Sequence, residues 1–269
     1  MIQKPKIALT IAGTDPSGGA GAMADLKSFH ACGVYGMSAI TSIVAQNSLG
    51  VQHIHNLEPA WLEEQLESVF NDEPPHALKT GMIPTPEMMA IIEKYLKQID
   101  IPYVIDPVMV AKSGDSLMAD SVRKQLKETL LPYADVATPN VPEAEEISGI
   151  KLESVDQIHQ AGRFFIHEVG AKGVVIKGGH LKGDATDYLF TREGHYTFTH
   201  ERYPTAHTHG TGCTFSAVIT AELAKGRSVY DAVAKAKDFI SLAIQHTPEI
   251  GRGRGPVNHF AYQAIKGWN

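Results

Sequence analysis

The segment AHTHGTGCTFSAV, residues 206–218, joins two histidines, a Gly-Thr-Gly step and one of the chain's only two cysteines, then becomes an apolar stretch of helical character. Small residues at Gly210, Thr211 and Gly212 let consecutive amides point into one concavity, an anion-binding nest, and the positive end of the following helix adds to it. A site of this kind stabilises charge that develops on a transferring phosphoryl group. Cys213 falls in the first turn of that helix, a place that lowers a thiol pKa towards neutrality. A group titrating there suits removal of a proton from a substrate hydroxyl. The competing reading is a buried cysteine acting as a small hydrophobe, and that is the reading for Cys32, inside an ordinary helix.

Other chemistry-bearing residues fall in loops after short apolar runs. GTDPSGGAGAMAD (13–25) carries four glycines in nine residues, which permits close approach of backbone amides to a ligand. It lacks the Gly-Lys-Ser/Thr of a Walker loop and does not match a dinucleotide fingerprint. Asp25 reads either as an exposed acid near the start of a helix or as a ligand group. Asp106, in VIDPVM, closes an apolar run and either caps a turn or faces a ligand. In TPNVPEAEE, Pro142 suits a first helical turn, and Glu143 follows Asn140 by three residues, as in a capping box. The same pair could reach a hydrated Mg²⁺ through water, since Mg²⁺ keeps several of its waters beside phosphates. Lys177 ends the apolar run of VVIKGGH, where an ammonium requires an anion or an escape to solvent; a phosphate contact fits it.

The elements that must position these groups alternate along the chain. Strands are expected at 6–12, 37–46, 76–82, 102–108, 134–140 and 173–179, with a hairpin over 187–199 turning at Glu193-Gly194. Helices are expected at 20–32, 59–71, 86–99, 211–225 and 228–246, with Gly226 stopping the first of the last two. Alternation of this kind predicts an α/β fold of three α/β/α layers around a mostly parallel central sheet. Ligands then bind beyond the carboxyl ends of the strands. With 269 residues and no low-complexity linker, a single domain over 1–269 is expected. A net charge of −6 argues against a broad nucleic-acid surface. Two cysteines make no disulfide framework, and no apolar run reaches the roughly 20 residues of a membrane span, so a cytoplasmic protein is expected.

Taken in order, GTDPSGGAGAMADLKSF, AITSIVAQNSLGV, KTGM, VIDPVMVAKSGD, TPNVPEAE, IKGGH, HTHGTGCTFSA and GRGRGPVNHF resemble the ribokinase-like superfamily. Within it they are similar to the bacterial hydroxymethylpyrimidine/phosphomethylpyrimidine kinases over nearly the whole chain. The resemblance implies a ribokinase-like fold, a homodimer, and two ATP- and Mg²⁺-dependent phosphorylations in thiamine synthesis, first of a hydroxymethyl group and then of the resulting monophosphate. It implies that Gly13, Asp25 and Gln46 line a pyrimidine pocket with Met82 and Val108 as apolar walls. The Gln46 amide can donate and accept at once, as an aminopyrimidine edge requires. It further implies an anion hole at Gly210–Gly212 with Cys213 as base, nucleotide contacts from Lys177, Thr208 and Asp106, and Mg²⁺ held by Asn140 and Glu143. The family's late Gly-His-Gly-His-Gly-Pro stands here as GRGRGP, with Arg252 and Arg254 read as exposed surface arginines.

Three other readings remain open on sequence alone: a pyridoxal/pyridoxine kinase or an enzyme of dual activity, a cysteine hydrolase, and a catalytically silent ligand-binding module. Pyridoxal kinases share the chemistry, although relatives of that kind tend to lack the Gln-Asn step of VAQN and read Gly-Ala-Gly-Cys in place of GTGC. A cysteine hydrolase would use His207 or His209 to activate Cys213 and would need a third orienting group.

Overall fold

The computed structural model describes residues 4–109, 120–178 and 183–267. The motif portions at 110–115 and 179–180 therefore lie outside the described residues. The strands are β1 (Ile7–Ala12), β2 (Tyr35–Ile40), β3 (Ser42–Asn47), β4 (Gly50–Asn56), β5 (Ala77–Thr80), β6 (Tyr103–Ile105), β7 (Val136–Ala137), β8 (Gly173–Lys177), β9 (Ala185–Thr191) and β10 (His195–His200). The helices are α1 (Gly21–Ala31), α2 (Pro59–Asp72), α3 (Pro86–Leu96), α4 (Asp120–Thr129), α5 (Val141–Ser148), α6 (Val155–Phe164), α7 (Thr211–Ala224), α8 (Val229–Gln245) and α9 (Ala261–Lys266).

Strands β1, β5 and β6 are buried at every position. Strands buried along their whole length belong inside a parallel sheet covered on both faces. Eight of the described strands form a sheet of order β10-β9-β8-β7-β6-β5-β1-β2, parallel from β2 to β8 and antiparallel at β9 and β10. Successive residues of a strand face opposite sides, so Leu9 and Ile11 enter one core and Ala8 the other. The first core is completed by residues of α2 to α6, such as Leu62, Met88 and Ile158. The second comes from α1, α7 and α8 through Phe29, Phe215 and Phe239. The outcome is the three-layer α/β/α arrangement expected. Helix α7 is buried nearly all round, as a helix made mostly of apolar and small residues can be.

One expectation fails in an informative way. The apolar run 37–46 is not a single strand. Strand β2 pairs with β1, then the chain leaves the sheet at Thr41, whose N–H donates to Ala12 and whose hydroxyl donates to the Met82 carbonyl. The remainder, β3, pairs with β4 in a separate antiparallel hairpin whose register shifts between Ala45 and Gln46. A shift of that kind re-aims a side chain, here Gln46. The run 134–140 is strand only at Val136 and Ala137, and it gives way to the cap of α5.

Candidate active site

The carboxyl ends of β1, β5, β6, β7 and β8 open into one cavity of about 1000 Å³, and the start of α7 enters it from above the sheet. Five strand spacings separate β1 from β9, roughly 24 Å, enough for a small heterocycle and a nucleotide end to end. Every residue that the family resemblance places in the site lines this cavity, and His207 does not.

At the β1 end, Gly21 adopts φ +56°, and the Ala22 N–H donates 2.9 Å to the Gly13 carbonyl. The Gly-rich turn is thus folded back on itself before α1. A Cβ at Gly13 would press on Met82, so the two meet at one wall of the cavity. Gln46 Nε2 donates 3.3 Å to the Thr14 carbonyl, and Val108 completes the apolar lining. Asp25 departs from the exposed-acid reading. It is fully buried, accepting from Lys79 Nζ at 2.7 Å and Thr10 Oγ1 at 2.6 Å. Burial raises the Asp25 carboxyl although Lys79 and Thr10 oppose it; Lys79 is held above the usual range by Asp25, against its own burial. Isolated charges there would be untenable, so each requires the other.

In the middle of the cavity, Lys177 Nζ donates 3.0 Å to Asp106 Oδ1. A side chain at Gly212 would stand within 3.4 Å of both groups. The ammonium and the first amides of α7 therefore converge on one place. Asp106 also accepts from Thr138 Oγ1 at 3.2 Å, and its carboxylate is turned to Lys177. The capping box is real: the Glu143 N–H donates to Asn140 Oδ1 at 3.0 Å, and the Asn140 N–H donates to Glu143 Oε2 at 2.8 Å. Burial pushes Glu143 up to about 7, with Lys177 opposing and Asp106 adding to the rise. Among the described residues no group of three or more His, Cys, Asp or Glu is placed to hold a metal ion directly. The available donors suit a cation that keeps most of its water and leans on phosphate, as Mg²⁺ does.

Cys213 corrects the expectation of a near-neutral thiol. Burial pushes it up to about 12; Lys79 and the Gly21 backbone oppose the rise, while Asp25 and Asp106 add to it. The helix terminus is outweighed by the desolvation of the thiol, a half-buried group in the cavity wall. At pH 7 roughly one molecule in 10⁵ would carry the thiolate. Cys32 is likewise pushed up to about 12 by burial, as a packing residue would be.

Several groups escaped the sequence reading. Lys79 was one, and a lysine inside an otherwise apolar strand was its signal. Asp15 was another: it is fully buried and accepts 2.7 Å from His209 Nε2. Lys237 donates to Asp187 Oδ2 at 2.8 Å and to the Ala185 carbonyl at 2.6 Å at the β9 end of the cavity. His207 accepts at Nδ1 from the Gly255 N–H, 3.0 Å away, which straps the late GRGRGP segment to this loop. Both arginines are exposed, as read, but Arg254 borders the cavity.

Residues 15–258 match the family model described as phosphomethylpyrimidine kinase. The chain belongs to the phosphomethylpyrimidine kinase family. Among its relatives in this family is the hydroxymethylpyrimidine/phosphomethylpyrimidine kinase of Staphylococcus aureus strain MRSA252, 69% identical over 267 residues, 98% of this chain and 97% of that one. The crystal structure of phosphomethylpyrimidine kinase from Clostridium difficile 630 is similar at TM-score 0.79 and 42% identity, covering 89% of this chain and 99% of its own. The pyridoxal kinase of Bacillus subtilis, in an ADP complex, is similar at TM-score 0.89 and 41% identity over 97% and 99% of the two chains. Membership in this family confirms the ribokinase-like vitamin-kinase resemblance and leaves the cysteine-hydrolase reading without support.

Proposed function

We propose that this protein transfers the γ-phosphoryl group of ATP to the hydroxyl of 4-amino-5-hydroxymethyl-2-methylpyrimidine, and then a second to the resulting monophosphate, in thiamine biosynthesis. The observation that carries the reading is the convergence of two half-sites in one cavity. The wall of Gly13, Gln46, Met82 and Val108 faces the cluster of Gly210–Gly212 and Lys177.

Phosphoryl transfer passes through a loose transition state, so positioning and charge stabilisation supply most of the catalysis. The amides of Gly210 to Gly212, the dipole of α7 and the Lys177 ammonium meet the charge on the transferring group. Thr208 lies at the mouth of the same loop, its carbonyl accepting from Thr211 Oγ1 at 2.7 Å, and Asp106 holds Lys177 in place. Asn140 and Glu143 would hold Mg²⁺ through water, and the cation would neutralise phosphate charge. Cys213 in its resting thiol form orients the acceptor hydroxyl. The hydroxyl proton leaves late in such a transition state and passes to an oxygen of the transferred phosphoryl group, which limits what a matched base adds.

The whole chain acts as one kinase domain, since the cavity draws on residues from Ala12 to Arg254. We also assign a homodimer. The family resemblance supports it; Ile43, Leu49 and Ile54 expose 50%, 68% and 40% of their surface, on the two faces and the turn of the β3–β4 hairpin. Among the described residues no helix is long and apolar enough to cross a membrane, which accords with a cytoplasmic enzyme.

The test is ADP release with hydroxymethylpyrimidine, its monophosphate and pyridoxal as separate acceptors. Turnover of both pyrimidines at rates well above pyridoxal is expected. Much faster turnover of pyridoxal would overturn the assignment. Light scattering on the eluted protein should give twice the chain mass.

A further inference from the structure

The two glycine-rich loops meet through one buried pair that the chemistry above does not use. Asp15, in the first loop, accepts from the Ser17 N–H at 2.9 Å, Ser17 Oγ at 2.7 Å, the Gly19 N–H at 3.2 Å and the Ala20 N–H at 2.7 Å. Its remaining contact crosses to the second loop, where His209 Nε2 lies 2.7 Å from Oδ2. Against the upward push of burial, the bonds from His209 and Ser17 hold the carboxyl below its usual range. Both partners are enclosed, with side-chain exposures of 0% for Asp15 and 12% for His209.

The surrounding backbone leaves no slack. A Cβ at Gly19 would strike the His209 ring, and a Cβ at Gly210 would overlap the Gly19 carbonyl. Gly210 adopts φ +77° and is the N-cap of α7. Its carbonyl accepts from the Thr214 N–H at 2.9 Å. On the far side of His209, its N–H donates to the Gly255 carbonyl at 3.1 Å, and its own carbonyl accepts from Val257 at 3.3 Å. His209 is therefore fixed by side chain to the first loop and by backbone to the late segment, one residue before the amides that face the phosphoryl group.

We infer that Asp15 and His209 are positioning residues for phosphoryl transfer, their contact setting the distance between the acceptor pocket and the amides ahead of α7. The inference rests on the kinase reading above. The first loop carries Gly13 and, through Thr14, the Gln46 contact; the second carries Gly210–Gly212. A displacement of about 1 Å between reacting groups can reduce rate about 100-fold. Loss of the pair should therefore lower kcat while each half-site still binds its own ligand.

Steady-state kinetics of His209→Ala, His209→Gln and Asp15→Asn test it with hydroxymethylpyrimidine and ATP varied independently. In His209→Ala, kcat should fall about 30- to 100-fold, with both KM values within about threefold of wild type. Added imidazole should restore part of kcat, because the vacated space lies at the cavity wall. His209→Gln, whose amide can present an N–H to Asp15, should fall between Ala and wild type; Asp15→Asn should resemble Ala. If His209→Ala does not fold, His209→Gln and Asp15→Asn decide. Unchanged kcat in a folded variant would overturn the inference. So would a rise in KM at constant kcat, or a loss that neither imidazole nor glutamine relieves. Wild-type protein that phosphorylates neither pyrimidine would instead overturn the kinase reading itself.

Discussion

At the scale of single residues, the departure that matters most is Cys213. Its place in the first turn of α7 argues for a lowered pKa, yet desolvation by burial, with smaller contributions from Asp25 and Asp106, outweighs that and the opposing Lys79. A helix terminus contributes about 1 kcal/mol at exposed sites, and a buried thiolate beside carboxylates loses more than that. Cys213→Ala should lower kcat about 10- to 100-fold and leave the KM for ATP within about twofold; a base matched to neutral pH would contribute up to about 10⁴-fold. The ratio of wild-type to Cys213→Ala activity should stay constant from pH 6 to 9, since the thiol is pushed up to about 12. A ratio that climbs through pH 7 would restore the near-neutral base. Gln46 makes a different prediction. Gln46→Ala removes an amide that can meet a heterocycle edge, so the KM for hydroxymethylpyrimidine should rise about tenfold, the worth of one hydrogen bond, with kcat little changed. Equal affinity would remove Gln46 from the pocket.

At the scale of elements, the strands and helices were legible where one physical signal dominated. Uniformly apolar runs gave β1 and β8, period-3.6 stripes gave α2 and α3, and Gly226 stops α7 with φ +80° as a helix-ending glycine should. The run 37–46 misled because its hydrophobicity is continuous across Thr41, while the change of sheet is made by tertiary hydrogen bonds. The ion pair of Lys79 and Asp25 was hidden for a related reason. Each residue was visible, but nothing local says that β5 and α1 meet. Candidate site residues were readable because they follow strand ends, and the topology gathers strand ends at one edge. Gly210 offers a direct test of how the elements dock. Gly210→Ala would strain a residue at φ +77° and drive its methyl into the Gly19 carbonyl. Such strain costs about 1–3 kcal/mol before the overlap is counted. Both thermal stability and kcat should fall, whereas Gly226→Ala, at positive φ with open space around it, should lose stability alone. Equal kcat in the two variants would show that the loop contact does not shape the site.

At the scale of the whole molecule, the late segment returns to the beginning of the chain and closes on α7. His259 is the buried titratable group of that return, between Val257 and Ala261. It is 7% exposed, and its Nε2 lies 3.0 Å from Thr214 Oγ1 in the first turns of the helix. Burial pushes it down to about 4, with Lys27 adding to the effect. The unfolded chain binds this proton below about 6.5, whereas the native chain refuses it until about 4. Between those values the unfolded state holds more protons, so stability is full above pH 6.5 and falls as pH drops towards 4. A displacement of about 2.5 units corresponds to about 3 kcal/mol. The same helix carries the amides of the anion hole, so acid should loosen the site and the late segment together. Urea unfolding at pH 7 and pH 4.5 measures this for wild type and His259→Gln. The glutamine variant begins less stable by the lost packing but has no proton to take up. Its midpoint should therefore fall less between the two pH values, narrowing the gap to wild type by about 2–3 kcal/mol. Other acid-sensitive groups, Asp15 among them, act equally in both proteins and cancel in the difference. Parallel loss in the two would mean that His259 takes up its proton in the native state as readily as in the unfolded chain, and that the closure of the chain on α7 tolerates a charge.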